Sequence, residues 1–90
     1  MLYMVIEHFV NGDAAPVYRR FQTDGRMMPD GLKYVASWVE ADLGRCYQVV
    51  ECDHPSLLED WMKHWRDIVE FEVVPVITSS EAAAQILPQL

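Results

Sequence analysis

The spacing of apolar and polar residues divides the chain into four predicted strands and two predicted main helices. The strands are expected at residues 2–10, 32–40, 46–52 and 69–77. Val17, Phe21 and Met28 recur at helical spacing between the first two strands. The apolar face of a second helix, between the last two strands, is formed by Leu58, Trp61, Met62, Trp65 and Ile68. We expect the two tryptophans of this face to be core residues.

Turn and capping residues mark the ends of these helices. Asp13 can accept from the free amides that open the first helix, which is expected to end between Gly25 and the turn at 29–31. Asp53 can do the same for the second helix, which is expected to end near Ile68. A third, short helix should follow the last strand, because residues 78–81 have the sequence of a capping box and the next residues favour helix.

The predicted order is β-α-β-β-α-β followed by a terminal helix. This order is typical of a ferredoxin-like α+β domain, with a four-stranded antiparallel sheet ordered 4-1-3-2 and both main helices on one side. We expect residues 1–90 to form a single domain of this kind.

The first strand is apolar on both of its faces, which suggests that both faces of the sheet are covered. One set of side chains comprises Leu2, Met4, Ile6 and His8, and the other comprises Tyr3, Val5, Glu7 and Phe9. We expect Tyr3, Val5 and Phe9 to lie on the face without helices, together with Val74 and Val76. A second copy of the sheet could cover that face, which would make the protein a homodimer with the architecture of a dimeric α+β barrel.

Composition and charge restrict the partners. Hydrophobic residues make up 51% of the chain, which is more than a lone small domain hides easily and again favours self-association. The net charge of -7 repels nucleic acid and anionic lipid, so neither is an expected partner. No secretion signal or membrane-spanning run is apparent, and we expect a soluble cytoplasmic protein.

Residues along nearly the whole chain resemble an uncharacterised bacterial family, domain of unknown function 3303. The similarity is carried by residues 1–7, 17–21, 25–29, 31–32, 37–38 and 71–76, and by Glu51, Trp61 and Trp65. The resemblance supports the fold and implies no activity or catalytic residue. At the level of architecture the chain is also similar to dimeric α+β barrels, which include small monooxygenases, isomerases and binding proteins, but a shared fold does not establish a function.

The sequence does not predict a metal or cofactor. His8, His54 and His64 lack the spacing of metal ligands, and no His-x-x-x-His or Cys-x-x-Cys occurs. Cys46 and Cys52 fall in one strand about 20 Å apart, which is too far for a disulfide between them. Asp60 and His64 are one helical turn apart but have no associated nucleophile, so a solvated pair is the simpler interpretation.

Two groups of charged residues remain as candidates. Arg19, Arg20 and Arg26 could hold an anionic ligand, or could form ion pairs or a solvated helix face. Glutamates inside strands are less common, and we expect them to share an aromatic-lined surface on the open side of the sheet. The candidate ligand-binding residues on that surface are Glu7, Trp38, Glu51, Glu72, Tyr3 and Tyr47.

The leading functional hypothesis is a homodimeric protein of unknown role that binds a small molecule against this open face. The alternative is a cofactor-independent enzyme, resembling a monooxygenase or isomerase, in which glutamates act as general acid and base. Glu7 and Glu72 fall on adjacent strands in the predicted order. If their carboxyl groups shared one partly dry surface, one of them would hold its proton to higher pH.

Overall fold

A four-stranded sheet is covered on one side by helices in the computed structural model, which describes residues 1–90. The strands are β1 (Leu2–Phe9), β2 (Lys33–Val39), β3 (Arg45–Glu51) and β4 (Val69–Val76). The helices are α1 (Ala15–Asp24), α2 (Ser56–Met62) and α3 (Ser79–Ile86), and short 3₁₀ turns occupy Val10–Gly12 and Leu87–Gln89.

The strand order is β2-β3-β1-β4, and all three neighbouring pairs are antiparallel. This order, read from the other edge, is the predicted 4-1-3-2. The predicted ferredoxin-like α+β fold is therefore confirmed. In the centre of the sheet, Val5 of β1 lies between Gln48 of β3 and Val73 of β4.

The faces of β1 are the reverse of the predicted ones. Val5 is 0% exposed and Phe9 is 5% exposed, and both belong to the core beneath the helices. Alternation places Tyr3 and Glu7 on this helix side too, so that the assignment of all four to the open face was wrong. The open face of β1 carries Leu2, Met4, Ile6 and His8. Since both sets are mostly apolar, periodicity alone could not distinguish them.

The assignment of β4 was correct. Phe71 and Val73 pair with Glu7 and Val5, and both pack against the helix-side core. Residues that face each other across an antiparallel pair lie on the same side of the sheet. The alternate residues of β4, Glu70, Glu72, Val74 and Val76, are therefore on the open face with Leu2, Met4, Ile6 and His8.

A β-bulge in β2 shifts the side-chain alternation of that strand. Tyr34 lies opposite Val50 and Ala36 lies opposite Val49, which leaves Val35 as the extra residue. Tyr34 is therefore on the helix side, whereas Trp38, opposite Tyr47, is on the open face. A regular alternation without the bulge would put Tyr34 and Trp38 on the same face.

The helix ends agree only partly with the capping residues. Asp13 accepts from the amide of Ala15 at 3.0 Å as α1 begins. Gly25 caps the other end of α1, immediately after Asp24, and its φ of 68° favours glycine. Asp53 makes no capping bond at α2. Instead of reaching Ile68, α2 ends at Met62, and residues 63–68 continue as turns in which amides bond to carbonyls three or four residues earlier.

The core lies between the helix side of the sheet and the two main helical segments. Its largest fully buried side chains are Trp61, Val5, Val50 and Val69. Trp65 is also buried, although it lies in the turns beyond α2. The prediction that both tryptophans are core residues is thus confirmed.

Helix α3 projects from the rest of the chain. The predicted capping box is present, since Thr78 accepts from the amide of Glu81 and the Glu81 carboxylate accepts from the amide of Thr78. None of its residues is buried, and its most extensive packing is against its own 3₁₀ extension. Ile86, Leu87 and Leu90 are consequently exposed at this end of the molecule.

Two valine substitutions test the reversed faces. Val5→Ala should lower the free energy of unfolding by about 2 kcal/mol, because it removes two buried methyl groups. Val74→Ala, on the open face of the neighbouring strand, should cost less than about 1 kcal/mol. Urea denaturation at low protein concentration measures both values. A larger cost at Val74 than at Val5 would contradict the face assignment.

Candidate functional site

A cavity of about 130 Å³ lies on the helix side, between the sheet and α1. Its lining is mostly apolar and includes Phe9, Val17, Phe21, Val39, Trp61 and Trp65. The remaining lining residues, which include its polar groups, are Glu7, Tyr18, Arg26, Ser37, Cys46 and Gln48. An apolar enclosure with a few convergent polar groups is the usual form of a small-molecule site.

Three of the polar residues form a chain of hydrogen bonds. Arg26 Nε donates to Gln48 Oε1 at 3.0 Å, and Gln48 Nε2 donates to Glu7 Oε2 at 3.2 Å. Gln48 and Glu7 are both buried, on adjacent strands β3 and β1. Gln48 therefore links the positive and negative groups without bringing them into direct contact.

The position of Arg26 is determined by both its backbone and its side chain. Its backbone oxygen accepts from the indole N–H groups of Trp61 at 2.9 Å and Trp65 at 3.1 Å. Its guanidinium carbon lies 4.0 Å from the ring centroid of Tyr34 and 5.1 Å from that of Phe21. The left-handed Gly25 immediately before it lets the chain leave α1 and return across the cavity.

The environment of Glu7 disfavours the ionised form of its carboxyl group. Burial raises the pKa of its carboxyl group, and this effect outweighs the opposing effects of hydrogen bonding to Cys46 and Gln48 and of the charge on Arg26. Burial also raises the pKa of the Cys46 thiol to about 12, and the neighbouring Glu7 adds to the increase. The pKa of Tyr18 is raised as well, first by burial and then by these two acidic groups. The acidic side chains of this site therefore hold their protons to higher pH than usual.

The six candidate residues do not form one surface. Trp38, Tyr47, Glu51 and Glu72 lie on the open face, whereas Tyr3 and Glu7 lie on the helix side. The prediction of a common aromatic and acidic surface was therefore wrong for Tyr3 and Glu7. On the open face, Trp38 is 59% exposed, and it lies opposite Tyr47, whose hydroxyl donates to Glu40 at 2.5 Å.

Glu7 and Glu72 cannot share a proton. Glu72 pairs with Ile6, while Glu7 pairs with Phe71, so the two carboxyl groups point to opposite sides of the sheet. The nearest ionisable partner of Glu72 is His8, whose Nε2 lies 3.9 Å away. The predicted pair of carboxyl groups is therefore absent, and Glu7 is a single buried carboxyl group.

The arginine cluster is divided by the fold. Arg20 forms an ion pair with Asp67 at 2.7 Å and also donates to the backbone oxygen of His64. Arg26, by contrast, lines the cavity. Asp60 is 3.6 Å from Lys63, an ordinary surface pair. Nowhere do three His, Cys, Asp or Glu side chains converge in a way that could hold a metal ion.

Gln48 and the central position of Arg26 were not identified from the sequence. A signal for Gln48 was available, because it is an uncharged polar residue between Cys46 and Val50 on the inward face of a strand. Such a residue needs a hydrogen-bond partner when it is buried. Arg26 gave no comparable signal, since its placement depends on the turn after α1 and on two distant tryptophans.

Comparison with known proteins identifies the family. The chain matches the family described as domain of unknown function 3303 over residues 1–90, and it belongs to that family. This confirms the resemblance seen in the sequence. No curated protein and no solved structure matches the chain. No helix combines the length and apolar character needed to cross a membrane.

Substitution of the buried carboxyl group should change how stability depends on pH. Because the folded-state pKa of Glu7 is above its ordinary value of 4.5, the wild-type fold loses stability as the pH rises from that value through the folded-state pKa. Glu7→Gln cannot ionise and should avoid this loss. The variant should therefore gain stability relative to wild type as the pH rises.

Chemical denaturation of both proteins between about pH 3 and about pH 9 measures this difference. At the acidic end of this range, Glu7 and the glutamine that replaces it are both uncharged. The difference in the free energy of unfolding there isolates the effect of exchanging the carboxyl group for the amide. A difference that stays constant with pH, or that favours wild type at high pH, would contradict the raised pKa.

Proposed function

We propose that this protein binds a small organic molecule in the helix-side cavity. The observation that carries the proposal is the burial of one carboxyl group, Glu7, in an otherwise mostly apolar enclosure. Burying an ionisable group is costly, and perturbed groups of this kind are concentrated at functional sites. The chain of Arg26, Gln48 and Glu7 supplies polar groups that can orient a ligand.

The volume and shape of the cavity support this role. Protein interiors are close-packed, so an unfilled space of about 130 Å³ beside the core is an uncommon feature. Aromatic rings contribute much of the wall, including those of Phe21 and Trp65. A molecule with a short apolar body and one polar end would match this distribution.

The second candidate function is proton transfer by Glu7. Its raised pKa brings the carboxyl group closer to the range in which a general acid or base works near neutral pH. Gln48 holds one of the carboxylate oxygens. Because Glu72 is on the other face, Glu7 would have to act without a second carboxyl group. This mechanism would make the protein a cofactor-independent enzyme.

A homodimer is part of the proposal, with the open face of the sheet as its interface. That face carries Met4, Ile6, Val49, Val74 and Val76, and its rim includes the exposed Trp38. Four strands of about eight residues cover about 500 Å² as a flat area. Side-chain relief and α3 would add to this area, and a standard interface buries about 800 Å² on each partner.

The exposed α3 supports a second copy of the chain as the partner. A helix of eight residues is marginal in water without packing, yet none of the residues of α3 is buried within its own chain. It leaves from the end of β4, at the edge of the sheet. From there it could lie against a partner stacked on the open face. A cytoplasmic location is consistent with the two free cysteines.

The three tryptophans provide a direct test of where a small molecule binds. Trp61 and Trp65 line the cavity, whereas Trp38 is on the open face. A set of small acids, amides, alcohols and amines is added to ¹⁵N-labelled protein, and the three indole N–H signals are followed by NMR. Binding as proposed should shift the Trp61 and Trp65 signals and leave that of Trp38 unchanged.

Shifts confined to Trp38 would contradict the cavity and favour the open face. The absence of any indole shift throughout the set would overturn the binding proposal. Carbonyl compounds that do bind are then incubated in D₂O with wild type and Glu7→Gln. If the wild type exchanges the proton on the carbon beside the carbonyl group and Glu7→Gln does not, catalysis by Glu7 is supported. Equal exchange rates in the two proteins would exclude Glu7 as the base.

Association through the open face can be tested with one interface substitution. Light scattering of the wild type at micromolar concentration should give about twice the chain mass of 10.4 kDa. Val74→Asp would place a charge on the apolar surface of this interface and should give the monomer mass. Leu43→Asp is a matched control in the loop between β2 and β3, where Leu43 is also exposed. A monomeric wild type would refute the homodimer.

A further inference from the structure

We propose that the ligand is a small carboxylic acid, bound as a monoanion by the terminal nitrogens of Arg26 with its apolar body in the cavity. This inference rests on the proposed binding function and specifies the chemical class of the ligand. It depends on how the guanidinium of Arg26 is held, and on which of its donors are already used.

The Nη groups of Arg26 have no acceptor within the chain. Its only side-chain hydrogen bond is from Nε to Gln48, and no carboxylate lies within ion-pair distance of it. Three other arginines do have carboxylate partners: Arg20 has Asp67, Arg45 has Glu40 and Arg66 has Glu59. Arg19 is exposed on α1. Arg26 is thus the arginine that is partly buried, held in place and still able to bind an anion.

The guanidinium is held in position before any ligand arrives. Gln48 fixes Nε, the ring of Tyr34 lies against the guanidinium group, and the tryptophan indoles hold the backbone. The free Nη edge presents two parallel N–H groups, an arrangement that matches the two oxygens of a carboxylate. Because little side-chain freedom remains to be lost, such a contact is favoured over one to a mobile surface arginine.

The charge of the surroundings favours a single negative charge on the ligand. Glu7 is joined to Arg26 through Gln48, so an ionised Glu7 would repel an anion placed at the Nη edge. A dianion such as phosphate at neutral pH would be repelled more strongly. The binding of a monoanion should also promote protonation of Glu7, because the two negative charges are close together in a partly dry site.

The size of the cavity favours a small apolar group on the acid. Eight of its twelve lining residues are hydrophobic. A short alkyl chain or one aromatic ring suits a space of about 130 Å³. Butyrate and benzoate therefore represent the expected class, and butyramide and benzamide are neutral molecules of nearly the same shape.

The experiment compares these acids and amides by titration, using the Trp61 and Trp65 indole signals. Each acid should bind the wild type at least about tenfold more tightly than its amide, since a charged bidentate pair is worth more than a neutral hydrogen bond. Arg26→Gln should remove that preference, and Arg26→Lys should restore only part of it. Arg19→Gln, on the exposed surface of α1, is the matched control and should bind like wild type.

Folding of the variants can be checked independently. The indole bonds of both tryptophans go to the backbone oxygen of Arg26, so substitution of its side chain should leave these signals near their wild-type positions. For the wild type, the affinity for each acid should fall as the pH rises through the titration of Glu7. In Glu7→Gln this fall in affinity with rising pH should disappear. A purely structural Arg26 would not produce this result.

The possible outcomes separate this inference from the proposed function. Equal affinities of acid and amide, or retention of the acid preference in Arg26→Gln, would overturn the assignment of the ligand class and leave the cavity as a binding site. If only the neutral compounds bind, the class is likewise wrong. If none of the four compounds shifts Trp61 or Trp65 but members of the wider set do, the carboxylic acid assignment fails alone.

Discussion

The bonding of two tryptophans to one carbonyl oxygen is the interaction on which the site depends. Trp61 and Trp65 are buried, and each indole N–H requires an acceptor. Both use the backbone oxygen of Arg26, which has two lone pairs and can accept from both. The segment that begins with α2 is thereby joined to the turn after α1. As a result, the side chain of Arg26 is held over the sheet.

This connection also explains why a cavity remains in so small a domain. The tryptophan rings support the turn at Arg26 from one side, and the sheet lies on the other side. Gln48 and Glu7 occupy the sheet surface below it, and their polar groups bond to each other and to Arg26. Every buried side-chain polar atom has a hydrogen-bond partner. The buried atoms of the polar chain are therefore satisfied, and closing the space with apolar groups would break their hydrogen bonds.

The order of the elements was predictable because each depends on local signals. The strands, the turn at Gly25 and the capping box of α3 all follow from neighbouring residues. The sides of the strands were harder to assign. In β1 both faces are mostly apolar, and in β2 the bulge at Val35 shifts the alternation by one residue. The pairing registers of β1 and β2 with the neighbouring strands determine which of their residues face the helices. The periodicity within one strand does not contain this information.

The candidate site was likewise predictable only in part. Glu7 was identified for a sound reason, namely that a charged residue inside a strand is unusual, but its predicted partner lies on the other side of the sheet. Its actual neighbours are Gln48, one strand away, and Arg26, beyond the end of a helix. These contacts join parts of the chain that are distant in sequence. Only the packing of α1 and the α2 segment on the sheet brings them together.

The two faces of β1 assign separate roles to neighbouring residues. Glu7 points into the cavity, while Ile6 and His8 point to the open face. A partner on the open face would therefore contribute no side chain to the cavity, because the sheet lies between them. Ligand binding and association would share only the backbone of the sheet. Coupling between them would require the sheet itself to change shape, and the hydrogen bonds of β1 to both of its neighbours oppose such a change.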